Sequence, residues 1–274
     1  LKHKVAIQGI KGSFHHKVAQ DFFSEDVEVI DCNSFQELVN RLIRGEATDA
    51  VMAIENSIAG SIIPNYALLD HHNLNIEGER YLAISQNLMV MPGQKLEDIH
   101  EVWSHPMALL QCKEFFKDKE HIRLVEDDDT AGAAKRIADG NLKGIGAIAG
   151  TTAASIYGLD VIAHDIQTIK DNSTRFFVLN TNGRTEADVP DKASVKFLTD
   201  HKRGSLAAVL NVMSDCRLNL TKIQSLPVIE TPWKYSFFVD VTFEDYADFE
   251  KAKKLLDIMA QEFKILGEYK NRKS

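Results

Sequence analysis

Five short polar loops, each following an apolar run, hold the residues of this chain that could do chemistry. Gly9-Ile10-Lys11-Gly12-Ser13 follows Lys4–Gln8, Glu55-Asn56-Ser57 follows Ala50–Ile54, and Ser104-His105-Pro106 follows Glu101–Trp103. Asp129-Thr130 follows Ile122–Val125, and Gly150-Thr151-Thr152 follows Ile145–Ala149. In open α/β sheets, ligands bind beyond the carboxyl ends of strands. Helix N-termini there present unpaired N–H groups and the positive end of the helix dipole. Five such loops suit a small anionic ligand. Taken singly, each also has a structural reading: Ser104 and Thr130 are good N-caps, His105 stands before a proline, and Gly-x-x-Gly is a turn. The pairs His15-His16 and His71-His72 lack a third ligand at metal spacing, so no metal site is expected. Neither a Walker loop, nor a GxGxxG fingerprint, nor a GxSxG elbow occurs, and no cofactor is expected.

The elements that must position these loops alternate along the first two-thirds of the chain. Strands are expected at Lys4–Gln8, Val27–Asp31, Ala50–Ile54, Leu82–Met91, Glu101–Trp103, Ile145–Ala149 and Phe176–Asn180. Helices are expected at His15–Phe23, Ser34–Arg44, Met107–Lys117, Ala131–Asp139 and Ala153–Tyr157. That alternation is α/β architecture with crossover connections. Ser34 and Glu37 stand at capping-box spacing. The remainder reads as strand Ser194–Thr199, helix Ser205–Asp215, strand Leu218–Ser225, strand Tyr235–Phe243, helix Phe249–Phe263 and strand Lys264–Tyr269. This is βαββαβ, the ferredoxin-like order. In the last helix, Leu255, Leu256, Met259 and Phe263 are spaced to form one buried face.

The chain has 274 residues, 44% of them hydrophobic and 26% charged, with net charge -8. That is the composition of a globular protein of about two domains. Residues 1–183 carry 17 Lys+Arg against 26 Asp+Glu, and residues 184–274 carry 15 against 14. The change coincides with a polar stretch at 184–192, expected to be a linker between domains 1–183 and 193–274. An acidic first domain excludes a duplex-coating nucleic-acid binder, so anion binding there must come from local groups. No run approaches the ~18 apolar residues of a membrane span. The chain starts into a strand rather than a signal peptide, and Cys32, Cys112 and Cys216 form no CxxC pair. A reducing cytoplasm is the expected location.

Four segments in order resemble prephenate dehydratase over essentially the whole chain. Gly9-Ile10-Lys11-Gly12-Ser13-Phe14 is similar to that family's Gly-Pro-x-Gly-Thr-Phe loop, with Ile10 at the proline. Glu55-Asn56-Ser57-Ile58-Ala59-Gly60-Ser61 matches its Glu-Asn-Ser-x-x-Gly-Ser segment. Ser104-His105-Pro106-Met107-Ala108-Leu109-Leu110-Gln111-Cys112 matches a third signature, and Thr174-Arg175-Phe176 is the family's diagnostic triplet. The resemblance implies a catalytic region like type II periplasmic binding proteins, two lobes around a cleft, followed by a phenylalanine-sensing ACT domain. It implies decarboxylative dehydration of prephenate to phenylpyruvate, water and carbon dioxide, driven by aromatisation and needing no electron sink.

The resemblance assigns roles residue by residue. Thr174 is placed beside the leaving hydroxyl, and Glu55 is the better intrinsic acid and the candidate proton source. Arg175 suits a carboxylate, or pairs with a neighbouring one. Asn56, Ser57, Ser104, Thr152, Gln111 and Phe176 complete the expected substrate site. In the ACT domain, Gly204-Ser205-Leu206-Ala207 matches the family's helix start, and Asn219 and Leu220 lie in the turn suited to an amino acid. Gln224-Ser225-Leu226-Pro227 stands where the family has Glu-Ser-Arg-Pro, so two charges are missing from the effector motif. A homodimer or homotetramer through the C-terminal domain is expected, with L-phenylalanine as allosteric ligand. Two alternatives remain at this stage: arogenate dehydratase, and a non-catalytic small-anion binding module of the same fold.

Overall fold

The computed structural model describes residues 3–185, 189–200, 202–228 and 234–273. Its elements in chain order are β1 (Lys4–Gln8), α1 (Phe14–Phe22), β2 (Glu28–Cys32), α2 (Phe35–Ile43), β3 (Asp49–Asn56), β4 (Gly60–Ser61), α3 (Ile63–His71) and β5 (Asn75–Ala83). There follow β6 (Asn87–Val90), β7 (Glu101–Ser104), α4 (Pro106–Gln111), α5 (Lys113–Phe116), β8 (Arg123–Glu126), α6 (Thr130–Asp139), β9 (Ile145–Ala149), α7 (Thr151–Tyr157), β10 (Asp160–Ala163) and β11 (Ser173–Asn180). The last are β12 (Lys192–Leu198), α8 (Ser205–Asp215), β13 (Asn219–Pro227), β14 (Tyr235–Thr242), α9 (Tyr246–Met259) and β15 (Gln261–Tyr269). Two compact units result: Leu1–Ser61 with Tyr81–Phe176, and Ile62–Arg80 with Phe177–Ser274. The division passes through β5 and β11, so each of these strands belongs in part to both units.

In the first unit, β1 pairs in parallel with β2 and β3. Val5, Ala6 and Ile7 are closed to solvent, as a central parallel strand covered on both faces requires. The sheet runs β2-β1-β3-β11-β5, with β4 folded back on β3. A second sheet runs β10-β6-β9-β7-β8. Alternation along β6 sends Leu88 and Val90 into one core with Val102, Leu109 and Ile148, and Met89 into another with Ala131, Ala134 and Ala147. Each sheet makes a lobe, and two chain crossovers, 84–86 and 164–172, join the lobes.

Two sequence expectations are corrected here. Leu82–Met91 is not one strand: it is the end of β5, a crossover at 84–86, and β6. Met107–Lys117 is not one helix: it breaks at Cys112, whose backbone leaves the helical region (φ -101, ψ 4), so that Gln111 ends α4.

The second unit is a four-stranded antiparallel sheet in the order β13-β14-β12-β15 with α8 and α9 between its strands in sequence, the ferredoxin-like arrangement. Ala193, Val195 and Phe197 point from β12 into a core with Val209, Met213, Phe249 and Leu256. The buried stripe of α9 is Phe249, Ala252 and Leu256, while Leu255 and Met259 are exposed and Phe263 lies in β15. The helix ends four residues earlier than its apolar spacing suggested, because β15 claims the chain from Gln261 onward.

The other face of β12 is polar and buried. Lys192 Nζ donates to both oxygens of Glu79 at 2.9 Å, with side-chain exposures of 2% and 0%. Lys196 Nζ donates to Asp70 at 2.7 Å. On neighbouring β14, Phe238 meets Tyr66 edge-on at 5.4 Å. The segment Ile62–Arg80 thus covers the sheet face that the helices leave open. Arg184, at the start of the expected linker, is not loose: its guanidinium holds Glu77 through Nε (2.9 Å) and Nη2 (2.8 Å). Glu186, Ala187 and Asp188 of that linker lie outside the described residues.

Candidate active site

β3 ends where β11 begins, and the backbone ties them: Ser57 N donates to Ser173 O at 2.8 Å and Ser173 N to Ser57 Oγ at 2.9 Å. This brings Asn56 to Thr174. Asn56 Nδ2 donates to Thr174 Oγ1 (3.0 Å), to Asn172 Oδ1 (2.7 Å) and to Ser173 O (3.3 Å). Asn56 Oδ1 accepts from the N–H groups of Ile58 (3.0 Å) and Ala59 (2.9 Å), which fixes the orientation of its amide. Since Thr174 Oγ1 accepts from Asn56, its own O–H proton is directed elsewhere. Asn172 Nδ2 in turn donates to Gln111 Oε1 at 3.3 Å, so Gln111, from the other lobe, joins the same cluster.

Strand alternation separates the remaining partners. Thr174 and Arg175 are neighbours on β11 and project to opposite faces, as do Asn56 and Glu55 at the end of β3. Glu55 and Arg175 therefore share the face that Asn56 and Thr174 do not use. Arg175 is buried, its guanidinium carbon 5.8 Å from the centre of the Tyr81 ring. Glu55 is half-buried. Phe176 is fully buried, with His15 edge-on at 5.0 Å. Burial drives the His15 imidazole down to about 3, so it is neutral at ordinary pH.

The loop after β1 meets the second lobe. Ser13 caps α1 by accepting from His16 N at 3.3 Å, and Tyr157 donates its hydroxyl proton to Lys11 O at 2.5 Å. Gly12 has φ +93, and a Cβ there would lie 3.1 Å from Ala153 Cα, so only glycine fits this approach to α7. A Cβ on Gly150, which precedes α7, would lie 3.0 Å from the Phe14 ring, and Thr152 lies half-buried in the first turn. Asp129 caps α6 on Gly132 N at 2.9 Å. Its carboxyl is raised above the usual range by burial, against the pull of the N–H groups it caps and of His105. Ser104 is closed to solvent and donates its proton to Ile148 O at 2.7 Å, which commits its hydroxyl to the fold.

The effector candidates divide along α8. Gly204 (φ +85) caps its start, followed by Ser205, Leu206 and Ala207, with Leu206 packed on the core. Asn219 lies past the other end, where it lines a cavity of about 540 Å3 with Arg217, Thr242 and Asp245. Leu220 is partly exposed on β13, Gln224 and Ser225 follow along the strand, and Leu226 is buried. Asn172 was not among the residues expected from sequence. Its only signal was its place two residues before Thr174 in the diagnostic segment.

Comparison with known proteins agrees with this architecture. A family model described as prephenate dehydratase matches residues 5–184. Arogenate dehydratase 2 of Petunia hybrida is 42% identical over 228 residues, covering 82% of this chain; the match spans 57% of that protein, a little over half its length. The chloroplastic arogenate dehydratase/prephenate dehydratase 2 of Arabidopsis thaliana is 37% identical over 283 residues, covering 97% of this chain and 72% of that protein. Among solved structures, prephenate dehydratase of Arthrobacter aurescens in complex with L-Phe superposes with a TM-score of 0.85 at 25% identity, covering 98% of this chain and 90% of that one. A protein described as GqqA, a novel type of quorum quenching acylase, superposes with a TM-score of 0.86 at 25% identity, covering 97% of each chain. With Thr174-Arg175-Phe176 at the junction of β11 and Asn56 bonded to Thr174, this chain belongs to the prephenate dehydratase family.

Proposed function

We propose that the chain converts prephenate to phenylpyruvate, water and carbon dioxide, and that Thr174 is the group touching the leaving hydroxyl. The observation that carries this reading is the bond from Asn56 Nδ2 to Thr174 Oγ1, which leaves the threonine O–H proton for a different acceptor. The pair of the breaking C–CO2 bond moves into the ring, the C–O bond breaks, and the departing oxygen takes a proton to leave as water. Aromatisation drives the step, and the site's task is to hold two carboxylates and hydrogen-bond the leaving group. Asn56, Ser57, Gln111 and Thr152 are donors for the substrate, with Phe176 and Ser104 supporting from behind. Arg175, on the strand face away from Thr174, serves the carboxylate of its face-mate Glu55. Glu55, the proton source expected from the sequence, is proposed to act on the proton through intervening groups and not by direct contact, and an unchanged pH–rate profile in Glu55→Gln would leave it a structural role.

Arogenate is the second reading, favoured by the 42% identical Petunia relative that carries that name. Incubating the purified chain separately with prephenate and arogenate, and identifying products by mass, distinguishes the two. Turnover of neither would reject both.

The catalytic region is assigned to residues 1–183, the connection to 184–192 and the regulatory ACT module to 193–274, with L-phenylalanine as feedback ligand. Gly204 and Asn219 stand at opposite ends of α8, about 16 Å apart for eleven residues, too far for one amino acid. A second copy docked along the edge strand β13, where Leu220 and Ile223 are exposed, would bring one end to the other. A homodimer, or a tetramer built from two, is proposed on that ground. Ile223→Glu should shift the full chain toward monomer in light scattering and weaken L-phenylalanine inhibition; a full-length wild-type monomer at micromolar concentration would defeat the idea. The three cysteines are free buried thiols, which suits the cytoplasm as the proposed location. Among the described residues no helix is long and apolar enough to cross a membrane.

A further inference from the structure

We propose that Asn172 is a positioning residue which sets the donor polarity of the site and fixes the two lobes around it. The proposal rests on the reading of Thr174 given above.

Asn172 lies where the two crossovers between lobes touch. Its carbonyl accepts from Ile84 N at 2.7 Å, and nearby Ile166 N donates to Gln86 O at 2.8 Å and Gln86 N to Gln167 Oε1 at 2.9 Å. Its side chain, on a residue only 2% exposed, reaches both ways. Oδ1 accepts from Asn56 in the first lobe at 2.7 Å, and Nδ2 donates to Gln111 in the second at 3.3 Å. Gln111 is held by the same crossover a second time, since Thr168 N donates to its carbonyl at 2.8 Å. One residue thus fastens crossover to crossover through its backbone and lobe to lobe through its amide.

The direction of each bond is determined from one end. The N–H groups of Ile58 and Ala59 can only donate, so Asn56 must offer Oδ1 to them and Nδ2 to Asn172. Asn172 must then present Oδ1 to Asn56, which leaves Nδ2 for Gln111. Gln111 must answer with Oε1, which turns its NH2 group away from Asn172. At the other branch, Thr174 accepts from Asn56 and keeps its proton for another partner. The network therefore ends in two outward donors, Thr174 O–H and Gln111 N–H, as an acceptor-rich anion requires. Asn172 is the link through which the backbone polarity of residues 58–59 reaches Gln111.

Three variants test this. Asn172→Ala should lower kcat at least tenfold, and in a Gln111→Ala background it should add clearly less than it does alone, because its effect passes through the Gln111 amide. Asn172→Asp still accepts from Asn56 but no longer donates to Gln111, which must reverse its amide and face the substrate with an oxygen; KM should rise well above that of Asn172→Ala. Hydrogen exchange supplies a readout independent of turnover: the Ile58 and Ala59 amides should exchange faster in Asn172→Ala, while the Gly132 amide at the α6 cap stays as in wild type. Unchanged kcat, KM and exchange in folded Asn172→Ala would overturn the proposal, as would full additivity with Gln111→Ala. If wild type turned over neither prephenate nor arogenate, the reading of Thr174 would fall, and the exchange result alone would still decide whether Asn172 holds Asn56.

Discussion

Two buried polar regions of this molecule are built on opposite terms. Around Thr174, neutral amides and hydroxyls bond one another, and Asn56 and Gln111 are only half-buried. Between β5 and β12, full charges meet with almost no exposure: Glu79 receives both bonds of Lys192 and a third from Arg272 N at 3.1 Å. Neutral groups can be half-satisfied at modest cost, which leaves donors available for a ligand that arrives later. A buried ion pair has no such latitude, since a lone charge in that place is severely penalised. The first arrangement suits a site that is completed by substrate. The second suits a joint that must take one register and no other.

The largest expected effect breaks the first region. Thr174→Ala should reduce turnover by about 10²-fold or more with little change in stability, as expected for loss of a positioned proton donor. Steady-state kinetics with a parallel thermal melt measure both. Near-normal turnover would remove Thr174 from the chemistry.

The second region should answer in stability instead. Glu79→Ala leaves Lys192 buried without its carboxylate and should cost about 3–5 kcal/mol in urea unfolding. The double variant Glu79→Leu with Lys192→Met removes both charges and should recover most of that loss. If the double variant is as unstable as the single, the packing of Glu79 and the Arg272 contact matter more than the charge.

His15 sharpens the contrast, because it is a titratable group kept neutral under the site. Its folded value of about 3 lies below the ordinary 6.5, so below pH 6.5 the unfolded chain takes up a proton that the folded chain refuses. Its contribution is fully present above pH 6.5 and declines as pH falls, by up to ~1.4 kcal/mol per unit until about pH 3. His15→Phe, an aromatic replacement beside Phe35 and Phe176, should flatten that acid limb in a pH series of unfolding free energies. An unchanged limb would mean that other groups set the acid stability.

The smallest effect belongs to neither region and serves as their control. Ser34 Oγ accepts from Glu37 N at 3.2 Å, and Glu37 answers by accepting from Asn33 N at 2.9 Å. Ser34→Ala should cost about 1 kcal/mol and leave kcat and KM untouched. A change in catalysis there would show that stability and activity are not separable in this unit.

Much of the molecule was legible from local signals. The Ser34 cap, the apolar strands β1, β3 and β9, and the βαββαβ order all follow from caps, periods and turn residues that act within a few positions. The meeting of Asn56 with Thr174 was legible only as a resemblance, since the two are 118 residues apart. Asn172 escaped notice because an asparagine in a polar loop is ordinary until its partners are known.

By itself, then, the sequence determined which stretches would be helix or strand wherever a single face or a continuous apolar run declared it, and which loops would carry polar groups. The tertiary structure decided the rest, and β5 shows why. Asn75-Ile76-Glu77-Gly78-Glu79-Arg80 reads as a polar loop, with two carboxylates and a glycine that no strand propensity favours. It is a buried strand because Glu77 finds Arg184 and Glu79 finds Lys192, the latter 113 residues away. α3 was equally unreadable, beginning without a side-chain cap and carrying Pro64 in its first turn. A charge is placed inside a protein only by the opposite charge that meets it there, and that partner cannot be read from the neighbours in the chain.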